Sequence, residues 1–383
     1  MTFVFISLLI ASTLFYFFVI VFLYRGFKRL SSTEVTNPHN LSFSVVISAH
    51  NEESNIVACL QSVLAQTIDR NRYEAIVIDD RSTDSTNRLV QIQSLKHPNL
   101  RYITVRNTPP GLSPKKHAVS LGIAQAKYEI IVFTDADCRV PPTWLDSIDR
   151  HFEERVGLVQ GITSYNYIPR MNAFFYGIQA LDFLSHGIVA AAAIGANFPL
   201  NSNANNLSFR KTAFIDVGGY GGSGNVVSGD DDLLLQKIWM SRKWNIRYMT
   251  DSAGSVETNP SPTIKAMFEQ RKRWGSKTVH YNTLQVTFLG GVFCFYLLLL
   301  LGFIDVFFYP ELFPVVAGMF GVKLMGEHLL LVPGTNMFHK KELRKFILPA
   351  SIVQLPLVVG AVILGVFGRF NWKGQKFGRR VKT

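Results

Sequence analysis

Apolar residues are concentrated towards the two ends of this chain, and a segment of mixed periodicity lies between them. The first apolar run, about 3–24, carries no charge and is long enough to cross a bilayer core of roughly 30 Å. Arg25, Lys28 and Arg29 follow it directly. A secretory signal peptide would place its charges before the apolar run and end at a small-residue cleavage site. The pattern therefore predicts a membrane anchor, with the residues after it in the cytoplasm.

Three more apolar segments are predicted in the last hundred residues, at about 286–309, 312–332 and 346–367. The middle one contains Lys323, Glu327 and His328, so it lies either partly in the membrane interface or along a polar cavity. If all three segments cross, the basic loop at 339–345 is cytoplasmic and the basic residues at 373–382 are outside. A re-entrant last segment would bring them back, so the number of spans stays open.

Between the apolar ends, short β-branched runs alternate with helical patterns. Runs at 43–48, 75–78, 102–105 and 130–133 predict strands, and the segments 55–66, 87–95 and 117–126 predict helices. Strand, helix and strand in this order predict a parallel sheet. Asp79 and Asp80 end one predicted strand, and Asp135 and Asp137 follow another. Because ligands bind at the carboxyl ends of parallel strands, these acids are candidates for a ligand site.

The patterns divide the chain into four parts. We expect an N-terminal transmembrane anchor at 1–25, a cytoplasmic domain at 40–284 with an interfacial helix region at 263–284, a C-terminal transmembrane region at 285–368 and a basic tail at 369–383. A further apolar stretch at 174–194 is interrupted by Asp182 and His186. A crossing there would separate Asp137 from Asp231, so we predict a buried or interfacial helix.

Composition and charge support a membrane setting. The chain has 383 residues, of which 48% are hydrophobic and only 17% charged, which is too apolar for an ordinary soluble enzyme. A net charge of +12 could indicate nucleic acid, but much of the excess lies beside apolar segments, which favours anionic lipids over nucleic acid as the partner. The three cysteines show no paired or metal-ligand spacing, which indicates a reducing compartment.

The acidic motifs suit two kinds of chemistry. An isolated Asp-x-Asp is usually a solvated turn, but after a buried strand Asp135 and Asp137 can hold a divalent cation, Mg²⁺ or Mn²⁺, that would bridge a diphosphate. Lys115 and Lys116 could add positive charge there. The acids Asp230 and Asp231 precede an apolar helical pattern, so they either cap that helix or supply a general base.

These motifs, followed by Gln270, Arg273 and Trp274 in the pattern Gln-x-x-Arg-Trp, resemble those of the membrane-bound members of glycosyltransferase family 2 over about 43–276. Relatives include cellulose, chitin and hyaluronan synthases. The resemblance implies an α/β GT-A nucleotide-sugar-binding domain with a Rossmann-like mixed sheet, and transmembrane helices at both ends. It also implies inverting transfer from a nucleotide diphosphate sugar by direct displacement.

The resemblance assigns roles residue by residue. Asp231 is the expected base with Asp230 as its supporting neighbour, Asp135 and Asp137 are the metal motif, and Asn206 and Trp274 lie on the acceptor side. The implied donor-binding residues are Ala49, Asn51, Glu52, Asp80, Lys115, Asp135, Gln270, Arg273 and Trp274. The chain departs from the family pattern at His50, at Pro114 in place of a glycine, and at Ala204 and Asn205 before Asn206.

Two motifs have simpler interpretations. Gly219–Gly224 fits Gly-x-Gly-x-x-Gly, but no strand feeds it, so a dinucleotide site is not expected. The charges at 271–273 could bind lipid headgroups, with Trp274 as an interfacial anchor.

The leading hypothesis is an inverting transferase at the cytoplasmic face of the cell membrane, using a divalent metal and a UDP-sugar, with GDP possible. The acceptor is a lipid, a lipid-linked sugar or a glycan. The alternatives are a processive polysaccharide synthase and a non-catalytic transport or scaffold protein.

Overall fold

The computed structural model describes residues 2–30, 37–109, 112–224, 226, 229–372 and 375–378. The chain divides into two compact units. The sheet unit comprises Arg29–Asn166 and Ala193–Asn259, and the helical unit comprises Met1–Lys28, Tyr167–Ala192 and Pro260–Thr383.

The described residues contain eleven strands: β1 Phe43–Ala49, β2 Tyr73–Asp80, β3 Leu100–Val105, β4 Ile130–Phe133, β5 Val156–Gly161, β6 Thr163–Tyr165, β7 Leu207–Arg210, β8 Asn245–Met249, β9 Val256–Thr258, β10 Arg369–Trp372 and β11 Gln375–Gly378. They also contain twelve α-helices: α1 Thr2–Leu30, α2 Ile56–Leu64, α3 Thr86–Ser94, α4 Pro114–Gln125, α5 Trp144–Asp149, α6 Ala173–Gly195, α7 Lys211–Asp216, α8 Asp232–Ser241, α9 Ile264–Lys277, α10 Thr283–Asp305, α11 Phe313–Met337 and α12 Ile347–Phe367.

Seven strands of the sheet unit form one mixed sheet in the order β3-β2-β1-β4-β7-β5-β8. Strands β1 to β4 are parallel to one another, β7 runs antiparallel to both β4 and β5, and β8 is parallel to β5. A second, two-stranded parallel sheet joins β6 and β9. The predicted α/β class is confirmed, and the antiparallel insertion of β7 makes the sheet mixed.

The central strand β1 is mostly apolar and buried at six of its seven positions, because helices cover both faces of the sheet. Successive side chains alternate between the faces, so Val45 and Ile47 pack in one core cluster with α2 and α5. Val46 packs in the other cluster with α4 and α8. Gly122 allows α4 to lie close to the sheet, since a Cβ there would be 2.6 Å from Val46 Cγ1 and 2.7 Å from Ile78 Cδ1.

In the helical unit, four long apolar helices, α1, α10, α11 and α12, pack around a shared core. Tyr16 of α1 stacks on Phe295 of α10 with ring centroids 4.3 Å apart, and Val316 of α11 and Leu355 of α12 belong to the same buried cluster. Five helices of the described chain are long and apolar enough to cross a membrane, namely Phe3–Leu30, Ala173–Gly195, Thr283–Asp305, Pro310–Met337 and Lys341–Phe367. Apolar helices at both ends of the chain therefore match the prediction.

Two of the three polar residues that interrupt the apolar segment at 312–332, Lys323 and Glu327, form a polar network between α11 and α12, whereas His328 is exposed. Lys323 is fully buried, and its Nζ lies 2.5 Å from Glu327 Oε1 and 3.3 Å from the carbonyl oxygen of Ser351. Ser351 Oγ donates to the other Glu327 oxygen. Paired and hydrogen-bonded in this way, these groups are compatible with burial among apolar helices.

The predicted interfacial helix α9 packs tightly on α12. A Cβ at Gly365 of α12 would be 2.4 Å from the carbonyl oxygen of Lys272, so the two backbones meet there. Part of the predicted basic tail forms an antiparallel hairpin of β10 and β11, and Asn371 N donates to Glu269 Oε2 of α9 at 2.7 Å. The tail residues 373–374 and 379–383 lie outside the described residues.

Candidate active site

The turn after β1 is fixed to the turn after β2. Asn51 has a left-handed backbone with φ of 55°, its N–H donates to Ser82 Oγ at 3.0 Å, and its Oδ1 accepts from Thr83 N at 2.8 Å. Glu52 N donates to Thr86 Oγ1 at 2.8 Å. The predicted donor residues Ala49, Asn51 and Glu52 therefore lie together at the carboxyl end of β1.

Asp80 ends β2 beside this turn. Its side chain is buried, and its carboxylate is paired with Arg81, whose Nε lies 2.8 Å from Oδ1. His50, which departs from the family pattern, has its Nδ1 2.5 Å from the carbonyl oxygen of Asp80. The two predicted turns are thus brought together, and their backbone conformations depend on each other.

The Asp-x-Asp segment forms a tight turn directly after β4. Cys138 N donates to the carbonyl oxygen of Asp135 at 3.1 Å, and burial alternates, with Asp135 and Asp137 half-buried while Ala136 and Cys138 are buried. Both acids are therefore more exposed than the residues that follow each of them. Burial, with a further contribution from Asp137 and Asp135, raises the pKa of the nearby Cys59 thiol to about 12.

The second acidic segment begins helix α8. Asp231 is its N-cap, with Oδ1 accepting from Asp232 N at 2.7 Å and Oδ2 accepting from Ala204 N at 3.2 Å. Asp232 is fully buried and accepts from Ser202 N. The capping interpretation is confirmed. A carboxylate has about four acceptor positions, so capping leaves the base role chemically possible, and that role remains a prediction.

Lys115 joins the two acidic segments. Its Nζ donates to Asp135 Oδ1 at 3.0 Å and forms an ion pair with Asp230 Oδ2 at 3.1 Å. Ser113 caps α4 and Pro114 occupies its first turn, which places Lys115 at the start of the helix. Burial alone would lower the pKa of Lys115, but Asp135, Asp230 and Asp231 together raise it above its ordinary value.

The donor set around Lys115 fits a divalent cation that arrives with a phosphate ligand. Among the described residues, no group of three or more His, Cys, Asp or Glu side chains forms a metal cage. Asp135 and Asp137 supply hard carboxylate oxygens, and Mg²⁺ is commonly held by one or two carboxylates together with substrate phosphates.

The side chain of Asn206 lies inside the scaffold. It is buried, its Oδ1 accepts from Trp144 Nε1 at 2.9 Å, and its Nδ2 donates to the carbonyl oxygens of Ile162 and Gly254, each at 2.9 Å. These contacts support a structural role in holding the segment before β7. The predicted acceptor-side role remains a prediction.

The Gln-x-x-Arg-Trp motif lies on α9 in the helical unit, whereas the acidic turns belong to the sheet unit. Gln270, Arg273 and Trp274 are half-buried. Arg271 is buried and pairs with Asp182 of α6, and Lys272 pairs with Glu269 at 2.7 Å.

These pairs argue against headgroup binding by Arg271 and Lys272. The Arg271–Asp182 pair was not predicted from the sequence. The feature of the sequence that could have indicated it is Asp182, an acid within the apolar stretch at 174–194, because a buried acid needs a positively charged partner.

Two lysines hold the glycine-rich segment before Asp230: Lys116, which the sequence suggested as a source of positive charge beside the metal motif, and Lys237, which was not among the predicted residues. Lys116 is buried and its Nζ donates to the carbonyl oxygen of Ser223 at 2.6 Å. Lys237 Nζ donates to the carbonyl oxygens of Gly219 and Gly221 at 2.7 and 2.6 Å. The acceptors are backbone carbonyl oxygens, which every residue has, so the sequence contains no motif that would predict these contacts.

Known proteins resemble this chain in sequence and in fold. Glycosyltransferase AglE of Haloferax volcanii is 26% identical over 268 residues, which are 68% of this chain and 81% of that protein. The beta-monoglucosyldiacylglycerol synthase of Synechocystis is 24% identical over 239 residues, 60% of this chain but only 46% of that protein. A mannosyltransferase from Pyrobaculum calidifontis, solved with GDP-Man and Mn²⁺, has a TM-score of 0.56 at 18% identity and covers 94% of this chain and 98% of its own.

The structural likeness confirms the GT-A fold expected from the sequence. Residues 44–176 match the Glycosyl transferase family 2 profile, and residues 130–330, more than half of the chain, match that of Glycosyl transferase family group 2. The order of motifs and the mixed sheet agree with both matches. The chain belongs to the family 2 glycosyltransferases.

Proposed function

We propose that this enzyme transfers a sugar, with inversion, from a nucleotide diphosphate sugar to a lipid or lipid-linked acceptor at the cytoplasmic face of a membrane. The observation that carries the proposal is the contact of one ammonium group with both acidic segments, Lys115 Nζ with Asp135 and with Asp230. Asp135, proposed for the donor side, and Asp230, proposed as the supporting neighbour of the base Asp231, thus contact the same ammonium group although they are far apart in sequence.

In the proposed reaction the acceptor hydroxyl oxygen attacks the anomeric carbon as the bond from that carbon to the diphosphate oxygen breaks. The diphosphate leaves with the bonding electron pair, and the hydroxyl proton passes to Asp231. A single displacement of this kind inverts the anomeric centre. Asp231 is suited to the task because its capping bonds fix the carboxylate, and a positioned base accelerates such a step by about 10²–10⁴-fold.

The donor diphosphate carries charge that grows as the bond breaks, and positive groups near it favour the transition state. A divalent cation held by Asp135 and Asp137 would supply such charge, and Lys115 would add its ammonium group. The turn containing Asn51 and Glu52, with Asp80 beside it, would bind the nucleoside. Arg273 and Trp274 are proposed to contact the diphosphate and the acceptor.

A membrane acceptor is supported by the character of the helical unit and by one relative. The five apolar helices suit a protein held in lipid, and a relative is named as a synthase of a glucosylated diacylglycerol. We therefore propose that residues 1–25 and 285–368 are membrane parts and that the catalytic domain at 40–284 faces the cytoplasm.

The test is nucleotide diphosphate release by the purified chain in lipid nanodiscs, across a panel of UDP and GDP sugars, with Mg²⁺ or Mn²⁺ and with a chelator. Mass analysis of the lipids identifies the product. Metal-dependent release from one donor, with a lipid gaining one or a few sugars, is the expected result. A ladder of long products would favour the polysaccharide synthase. Donor binding without transfer, for any acceptor lipid supplied, would contradict the proposal.

A further inference from the structure

The contacts of Arg271 connect two residues of the Gln-x-x-Arg-Trp motif to α6. Arg271 and Asp182 are each only 6% exposed, and Nε of Arg271 donates to Asp182 Oδ2 at 2.8 Å. Nη2 of the same guanidinium bonds the same oxygen at 2.5 Å. Two charges buried this deeply are paired and hydrogen-bonded in folded proteins because an unpaired one is strongly destabilising.

The remaining edge and the face of the guanidinium contact the motif itself. Nη1 donates to Gln270 Oε1 at 2.7 Å, and the guanidinium carbon lies 4.1 Å from the centroid of the Trp274 ring. A planar guanidinium can bind a carboxylate, bond an amide and stack on an aromatic ring at once, which the lysine ammonium cannot do. Arg271 therefore contacts Gln270 and Trp274 as well as Asp182.

Helix α6 contributes more than the carboxylate. His186, one turn after Asp182, lies edge-on to Trp274 with ring centroids 5.3 Å apart, and the Phe183 ring is 6.1 Å away. The indole is thus held between the guanidinium of α9 and two rings of α6. Gln270 and Trp274 themselves are half-buried and reachable, whereas Arg271 is enclosed.

We propose that Asp182 and Arg271 are positioning residues, which set the orientations of Gln270 and Trp274 for the transfer reaction without touching the substrate. The inference rests on the proposed function of the Gln-x-x-Arg-Trp motif.

In Arg271→Lys the charge pair persists but the stacking on Trp274 and the hydrogen bond to Gln270 are lost. A small misplacement of a positioned group can cost about a hundredfold, so we expect a tenfold to hundredfold lower turnover.

The experiment uses the full chain labelled with 5-fluorotryptophan, and the Trp274 resonance is assigned by its loss in Trp274→Phe. Arg72→Lys is the matched control, because Arg72 forms an ion pair with Asp149 at 3.0 Å in the sheet unit and contacts no motif residue. Arg271→Lys and Asp182→Asn should shift the Trp274 fluorine resonance, and Arg72→Lys should leave it in place. If either single variant fails to fold, the double variant Asp182→Leu with Arg271→Met is measured in its place. It removes both charges together, so no unpaired charge is left buried.

A double-mutant cycle on nucleotide diphosphate release separates positioning from general damage. If Arg271 acts through the motif, Arg271→Lys adds little to the combined Gln270→Ala and Trp274→Ala variant. The inference would be overturned if the Trp274 resonance did not shift in the variants. It would also be overturned if Arg271→Lys lowered the release rate by the same factor in the combined Gln270→Ala and Trp274→Ala variant as in the wild-type chain. If the wild-type chain releases no nucleotide from any donor, the proposed function fails while the fluorine spectra still decide the positioning claim.

Discussion

The strongest quantitative prediction concerns Lys115, whose ammonium group pairs with Asp135 and Asp230. In Lys115→Met the carboxylates of the two acidic segments remain close together without that charge. The variant should therefore lose stability in the sheet unit, and a divalent cation should restore part of it.

The contact distances set the size of the effect. At an effective dielectric constant of 20, two unit charges about 3 Å apart attract by about 5 kcal/mol before desolvation is counted. Removing one partner of a buried pair costs about 3–5 kcal/mol, and since the Asp135 side chain is 33% exposed we expect the lower value, about 3 kcal/mol. For a domain of this size that is a loss of about 6–12 °C in the thermal transition.

The assay is thermal unfolding with and without Mn²⁺, beside Lys237→Met and Lys115→Arg. Lys237 donates to two backbone carbonyl oxygens of the glycine-rich segment, so its loss removes hydrogen bonds but leaves no carboxylate unpaired. Lys115→Arg retains the charge and should lose less. Mn²⁺ should raise the unfolding temperature of Lys115→Met more than that of the wild-type chain. In the variant the ammonium group no longer occupies Asp135, so the cation should bind the folded state more tightly and stabilise it more.

The pH dependence has a defined sign. The pKa of Lys115 is raised in the folded state, so its contribution is fully present below the ordinary value of about 10.4 and is lost only as the pH rises through the folded-state pKa. The difference between wild type and Lys115→Met should thus be constant from about pH 6 to 9. A loss no larger than that of Lys237→Met, or no selective effect of Mn²⁺, would refute this account of the site.

Three further predictions concern the scaffold. Asn206→Leu leaves an indole N–H and two carbonyl oxygens without their partner, so unfolding measurements should show a loss of about 2–3 kcal/mol, and a change below about 0.5 kcal/mol would be inconsistent with the contacts. Gly365→Val would drive a side chain into the carbonyl oxygen of Lys272, so expression and thermal stability should fall sharply, with Gly318→Val as the open-space control. Burial raises the pKa of Cys59 to about 12 and that of Cys138 well above its usual value, so mass spectrometry at pH 8 should find both modified by maleimide only after denaturation.

Local pattern was sufficient to predict the strands at the centre of the sheet. The apolar runs at 43–48 and 75–78 correspond to β1 (Phe43–Ala49) and β2 (Tyr73–Asp80), because strands covered on both faces are mostly apolar. Strand β7 (Leu207–Arg210) was missed. It is four residues long and antiparallel, and its partners β4 and β5 lie about fifty or more residues earlier in the chain.

The site was predictable only as far as its motifs are local. Their position after a buried strand made Asp135 and Asp137 candidates for metal binding, which remains a prediction, and helix-start chemistry correctly indicated Asp231 as a capping residue. The contact of Lys115 with Asp230 and that of Arg271 with Asp182 join distant parts of the chain, and neither leaves a periodic signal. Such pairs are determined by tertiary packing, which single-sequence patterns do not contain.

The central claim is that Asp231 removes the acceptor proton, and Asp231→Asn tests it most directly, because asparagine caps a helix about as well as aspartate and the fold should persist. Donor binding and nucleotide diphosphate release would be measured in nanodiscs beside Asp146→Asn, which alters only a surface pair with Arg150. The account predicts unchanged donor affinity with release slowed by about 10²–10⁴-fold in Asp231→Asn alone. Release at the wild-type rate from Asp231→Asn would contradict it.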